Sequence, residues 1–160
     1  MKESSWKDCL ESNASIIISP DKAKANSLMK TSLGRIKFLK SIKLNKENIN
    51  YVFEGYYTSV LELIHTLVIH EGFKVQTHLC LGFYLKDVLK KEELFRMFDD
   101  LRYKRNSLTY YGKEMEFKTA KKTITKAEKI MKELKEIINN IDKGIILKSD
   151  EELDKYLEEL

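Results

Sequence analysis

The chain has 160 residues and a mass of 18.8 kDa, 42% hydrophobic and 34% charged, with a net charge of +4, one Pro, six Gly and two Cys. That is enough apolar chain for one domain with a core. The scarcity of turn residues argues against an all-β fold, and excludes collagen-like and Gly/Ser-rich classes. With no signal peptide and only two cysteines, a disulfide-stapled secreted domain is not expected.

The longest run without Asp, Glu, Lys or Arg is Val75–Leu85, eleven residues, short of the roughly 20 apolar residues a membrane span requires. The expected location is the cytoplasm, with no membrane partner, and with Cys9 and Cys80 as reduced, small core residues; no CxxC spacing suggests a redox pair. Residues 145–160 carry two Lys against six acidic residues, a net −4, which leaves +8 on the remainder. A basic body of that kind suits solubility alone, or attraction to phosphate backbones and acidic partners.

In chain order the pattern is helical nearly throughout. Ser4 or Ser5 can cap a first helix to about Ile18, with Trp6, Leu10 and Ile17 on its apolar side. Ser19-Pro20 reads as an N-cap followed by Pro at the first helical position. The second helix then runs to about Lys43, with Leu28, Leu33, Ile36, Leu39 and Ile42 as its stripe. Asn45 can cap a third helix from about Lys46 to Glu71, stopped by Gly72. Its apolar residues (Ile49, Val52, Phe53, Tyr56, Val60, Leu63, Ile64, Leu67, Val68) cover much of its circumference. Such a helix is central, or shared between a core and a second copy of the chain.

A short fourth helix is expected over Thr77–Lys90 and a fifth over about Glu92–Tyr110, ending at Gly112. In the sixth, Phe117, Ala120, Ile124, Ala127, Met131, Leu134, Ile138 and Ile141 alternate three and four residues apart. Such a seam belongs to a coiled-coil dimer or, beside other long amphipathic helices, to the inside of a bundle. Gly144 closes that helix, and Ser149-Asp150-Glu151-Glu152 is a capping box opening a short acidic one. The fold class is therefore all-α: an up-and-down helical bundle of four to five main helices, one domain over 1–160 with its core at about 20–143 and an acidic terminal helix at 145–160.

His65 and His70 are five residues apart on one helix, about 500° of rotation, and do not share a face. His78 is the third. Neither a metal site nor a cofactor is expected: no Cys or paired acid completes a ligand set, and no Gly-rich phosphate loop, nucleophile elbow or zinc motif occurs. Tyr51, Tyr56 and Tyr57 fall on the third helix, and Tyr103, Tyr110 and Tyr111 on the fifth. Exposed rings beside basic residues stack on bases, whereas rings at helical spacing pack at a core edge. Spacing alone accounts for the third-helix group.

The segment from Leu101 to Gly112 stands apart. Leu94, Phe98, Leu101 and Leu108 step four, three and seven residues along the fifth helix, and Arg105 falls within the last gap. It points along the apolar face. A guanidinium there needs a partner or a cleft, because leaving it buried and alone costs several kcal/mol. Only four of the 29 basic residues are Arg, and two of them are Arg102 and Arg105; the planar fork of Arg suits phosphate or carboxylate. Arg102, Asn106 and Tyr110, each four apart, form a polar stripe beside it. The structural alternative is a tie from Arg105 to Glu54 or Glu62.

Two blocks resemble the HEPN domain, an all-α family of nucleotide- and RNA-associated proteins. One is Gly55-Tyr56-Tyr57 with the apolar helix to His70-Glu71-Gly72 and the Thr77-His78 start of the next helix. The other is Arg105-Asn106 followed by Tyr110-Tyr111 and one long terminal helix. The family motif is an Arg, often with a polar residue after it, then four to six residues and a His. Here Tyr110 and Tyr111 occupy the His spacings. For ribonuclease members the resemblance implies an Arg–His pair in a cleft at a dimer interface, cutting RNA without metal, in some cases as a toxin paired with a nucleotidyltransferase. A general base works best with a pKa near the operating pH, which His has and Tyr does not. The candidate catalytic residues are Arg105 and Tyr110, and the candidate ligand-binding residues are Arg102, Arg105, Asn106, Tyr110 and Tyr111. The expected function is binding of RNA or a nucleotide by a homodimer, with a ribonuclease toxin or a protein-interaction module as the alternatives.

Overall fold

The computed structural model describes residues 2–141. The chain begins with α1 (Trp6–Glu11), capped by Ser5, whose side chain accepts from the Asp8 N–H. The helix does not reach Ile18. Asn13 adopts a left-handed φ of 59°, and the β-branched run that follows prefers extended backbone. Ser15–Ile17 forms β1, antiparallel to β2 (Phe73–Val75), with Ser15 opposite Val75 and Ile17 opposite Phe73. Ile17, expected on an apolar helix face, is 77% exposed.

Asp21, not Ser19, caps α2 (Lys22–Lys40) by accepting from the Lys24 N–H. Pro20 lies just outside the cap; of the expected stripe Leu33, Ile36 and Leu39 are buried, while Leu28 and Ile42 are only half-buried and Met29 takes the inner place. Asn45 shapes the turn into the third helix, accepting from the N–H groups of Glu47 and Asn48 at 2.9 Å. Helix α3 itself starts later, at Ile49, and runs to His70. Gly72 stops it with φ 90°, and its carbonyl accepts from the Ile18 N–H at 2.9 Å. A Cβ there would sit 3.0 Å from the Ile18 oxygen, so the strained turn and the strand contact both favour Gly.

Helix α3 is the centre of the molecule. α2 packs along one side and α6 (Phe117–Ile141) along another, with α5 (Glu92–Tyr111) also against it. The apolar girth that suggested a second copy is covered within the chain: Ile49, Val52, Phe53, Tyr56, Val60, Leu63, Ile64, Leu67 and Val68 are all at most 3% exposed. The seam of α6 is likewise spent inside the bundle, with Ala120, Ile124, Ala127, Met131, Leu134 and Ile138 buried. Where α2 and α3 cross, a Cβ on Gly55 would lie 2.8 Å from Leu39 Cδ1, so glycine permits the approach.

Thr77 caps α4 (His78–Phe83), accepting from the Cys80 N–H, and Tyr84–Val88 continues it as a π-helical turn. Gly112, at φ 62°, closes α5. The Asn50 side chain clasps the α5–α6 connection, donating to the Met115 carbonyl at 3.1 Å and accepting from its N–H at 2.9 Å.

The cysteines overturn the expectation of free thiols. Pairing of β1 with β2 brings α1 against α4, and Cys9 and Cys80 are joined as a disulfide, Cα atoms 6.0 Å apart. Neither cysteine is exposed. Trp6 closes over this junction, edge-on to Phe73 and Tyr84, while its backbone N–H donates to Asp87 Oδ2 at 2.7 Å. The disulfide removes reduced cysteines as a ground for a cytoplasmic location. No described helix is long and apolar enough to cross a membrane. Gly144, the capping box at Ser149 and the acidic terminal helix lie outside the described residues.

Candidate functional site

Arg105 lies on the side of α5 that faces α3, half-buried, as the Leu101–Leu108 spacing predicts. Its guanidinium carbon is 5.7 Å from the Tyr57 ring centroid and 5.8 Å from that of Tyr110. The cation is thus held between a core ring, 1% exposed, and a surface ring, 69% exposed. Both contacts are of the cation–π kind.

The tie to an acid does not form. Glu62 pairs with Arg35, which also donates to Ser59 Oγ at 3.4 Å. Glu54 accepts from Thr109 Oγ1 at 3.5 Å. Among the described residues Arg105 has no carboxylate partner. Arg102 differs: its Nε donates to Asp99 Oδ1 at 2.8 Å, and a terminal nitrogen lies 2.7 Å from the same oxygen. One arginine is neutralised and the other is left to aromatic faces.

The structure adds a residue that the motif lacks. His78, first residue of α4, reaches this place from a different helix, and its Nδ1 is 3.1 Å from Tyr57 Oη. The rings of Tyr57 and His78 are 5.7 Å apart, and Tyr57 stacks on Phe98 at 6.1 Å. Burial, reinforced by the charges of Arg105 and Arg102, holds the His78 pKa below the ordinary imidazole value, so it is neutral near pH 7. Burial pushes the Tyr57 phenol up against the opposing pull of Arg105 and Arg102, so it keeps its proton. The signal for His78 lies in the Thr77-His78 helix start beside the tyrosine pair. Spacing along one helix could not connect it to Arg105.

Of the residues singled out from sequence, Arg102, Arg105 and Tyr110 come together around Tyr57. Asn106 is half-buried on the same helix. Tyr111 is 82% exposed, beyond these contacts. In the third-helix group, Tyr56 is buried with its hydroxyl donating to Glu128 Oε1 at 3.1 Å, while Tyr51 is exposed. No group of three or more metal-binding side chains occurs among the described residues.

His65, about two turns of α3 beyond Tyr57, has its pKa lowered to about 4 by burial, with the charges of His78 and Lys24 adding to it. The unfolded chain binds this proton below about pH 6.5, whereas the folded chain does not until about 4. Stability is therefore expected to fall as pH drops from 6.5 towards 4, by on the order of 2–3 kcal/mol from this group. Denaturant melts at pH 7 and pH 5 check this, and His65→Gln should flatten the difference.

What the cluster offers is a half-buried, uncompensated guanidinium, a neutral imidazole and a buried phenol at the edge of an exposed aromatic surface. The chain matches no family model, no curated protein and no solved structure, so its own geometry carries the functional reading.

Proposed function

We propose that this chain is a HEPN-like helical module that binds RNA or a nucleotide through a phosphate held at Arg105. The observation that carries the reading is the Arg105 guanidinium, set between Tyr57 and Tyr110 without a carboxylate partner among the described residues. A forked donor so placed is preorganised for phosphate, and Tyr110 offers an exposed face on which a base can stack. The neutralised Arg102 shapes the rim.

The test is a titration of labelled single-stranded RNA, repeated across salt, with the integrity of the RNA followed on a gel. Saturable, salt-sensitive binding of intact RNA is the expected result. Absence of binding by both RNA and nucleotides would favour a protein-interaction module instead. His78 gives the ribonuclease reading a specific footing, because it brings to Arg105 the residue type that the Arg motif lacks. Metal-independent cutting by the unmodified protein, lost in both Arg105→Ala and His78→Asn, would promote that reading and with it a nucleotidyltransferase-type partner. Binding is preferred because the Nδ1 of His78 is already engaged by Tyr57.

A homodimer belongs to the same proposal. The resemblance places such clefts at a dimer interface, and Tyr103 and Tyr111 on α5 give a second copy exposed aromatic surface to bury. Light scattering is expected to give about twice 18.8 kDa; a monomer mass at every concentration would remove the dimer and leave the Arg105 site standing.

A further inference from the structure

We infer that the Arg105–Tyr57–His78 cluster takes a terminal phosphate, the phosphomonoester at an RNA end or on a free nucleotide, and that His78 takes up a proton as the phosphate binds. The inference rests on the reading of Arg105 as a phosphate site and narrows it to one kind of phosphate.

The charges in the cluster lead to this. Arg102 is balanced by Asp99, so the fixed charge left over is the single positive charge of Arg105. That matches an internal phosphodiester, which carries one negative charge. A phosphomonoester carries about −1.5 to −2 near neutral pH, and a second positive charge must come from a group able to ionise in place. His78 is that group. The ionisable residues that act on it or on its neighbours come from every element packed there: Tyr57 and His65 on α3, Arg102, Arg105, Asp99 and Tyr110 on α5, and Lys24 of α2 through His65. In the free protein the two guanidinium groups oppose a charge on His78. A dianion lying between His78 and Arg105 reverses that balance, and the proton arrives from solvent without any bond in the ligand changing.

The hydrogen bond to Tyr57 adds direction. His78 Nδ1 is engaged by Tyr57 Oη at 3.1 Å, which leaves Nε2 as the nitrogen free to meet a ligand. Once both nitrogens carry protons, Nδ1–H donates and Tyr57 Oη accepts. The phenol hydrogen then turns to another acceptor. One proton taken up thus yields a charged donor at His78 and a second donor at Tyr57, where a tetrahedral group with three free oxygens can use both. A phosphodiester, with two free oxygens and one charge, gains less.

Isothermal calorimetry on the full chain at pH 7.5 tests this with four probes: a short single-stranded RNA with a 5′-phosphate, the same RNA with a 3′-phosphate, the same RNA with hydroxyl ends, and a nucleoside 5′-monophosphate. Each is run in two buffers of different ionisation enthalpy. At least one phosphate-ended probe is expected to bind about tenfold or more tighter than the hydroxyl-ended RNA, with uptake approaching one proton. Which probe wins separates an RNA end from a free nucleotide. The uptake is expected to vanish in His78→Asn, whose amide keeps a polar atom near the Nδ1 position but cannot ionise. Equal binding of phosphorylated and hydroxyl-ended RNA, both lost in Arg105→Ala, would overturn this inference while leaving the phosphate site intact. Uptake that persists in His78→Asn would also overturn it, and no binding of any probe would remove the underlying reading as well. Should His78→Asn fail to fold, the imidazole NMR titration of the unmodified protein decides: the His78 pKa must rise when the tightest-binding phosphate-ended probe is added, and an unmoved pKa overturns the inference.

Discussion

Arg105→Ala is expected to weaken binding of single-stranded RNA by roughly ten- to hundredfold while leaving the helical content unchanged. A hydrogen bond to a charged group contributes about 1.5–3 kcal/mol, which sets that range. The salt response makes the result specific. Losing one phosphate contact reduces the slope of log affinity against log salt by about 0.7 for a single strand. Arg105→Lys separates charge from shape: the slope is retained, but the forked geometry and the flat contact on Tyr57 and Tyr110 are lost, and affinity falls part of the way. Tyr110→Phe keeps the ring and removes one hydroxyl, so its loss is limited to about 0.5–1.5 kcal/mol. The opposite pattern is equally clear. Unchanged binding in Arg105→Ala, with a large drop in melting temperature, would make the guanidinium a packing element between two rings and nothing more.

The second large effect belongs to the disulfide. Cys9 and Cys80 are 71 residues apart, and closing a loop of that length restricts the unfolded chain by about 4 kcal/mol in the chain-entropy treatment, with 2–4 kcal/mol typical of measured cases. The double variant Cys9→Ala, Cys80→Ala is therefore expected to melt about 10 °C lower. It should still fold, because Trp6 remains packed on Phe73 and Tyr84 and hydrogen-bonded to Asp87. Thiol titration of the unmodified protein in denaturant should find no free thiol; two thiols per chain, or a double variant with an unchanged melting temperature, would contradict the link. With both cysteines fully buried, mild reductant without denaturant is expected to act slowly.

How much of this was legible depended on range along the chain. Helices α2, α3, α5 and α6 announce themselves through three- and four-residue spacing, and Gly72 and Gly112 mark their ends because each takes a left-handed φ. The inward turn of Arg105 follows from the same periodicity. The first helix did not obey it: three isoleucines in a row fit a helix or a strand equally, and β1 became a strand because β2, far along the chain, was there to pair with it. A three-residue strand has no period to detect. The disulfide and the Tyr57–His78 bond were hidden for a related reason, since each joins residues on different helices and no local spacing encodes the meeting. Glu62 shows the same limit from the other side. It was a sound partner for an arginine, and the arginine it met was Arg35.

The Cys9–Cys80 bond also makes a closed covalent ring of everything between them, and that ring contains all of α2 and α3. The connection from α2 to α3 passes through Lys43 and Lys46, both exposed. A single cut there by a lysine-specific protease opens the ring without releasing a fragment, because the two halves are still tied to each other through sulfur. On a non-reducing gel the nicked chain runs as one species, and two pieces separate only after reduction. A digest analysed without reductant would therefore record this exposed turn as resistant, when the chain had in fact been severed beside its central helix.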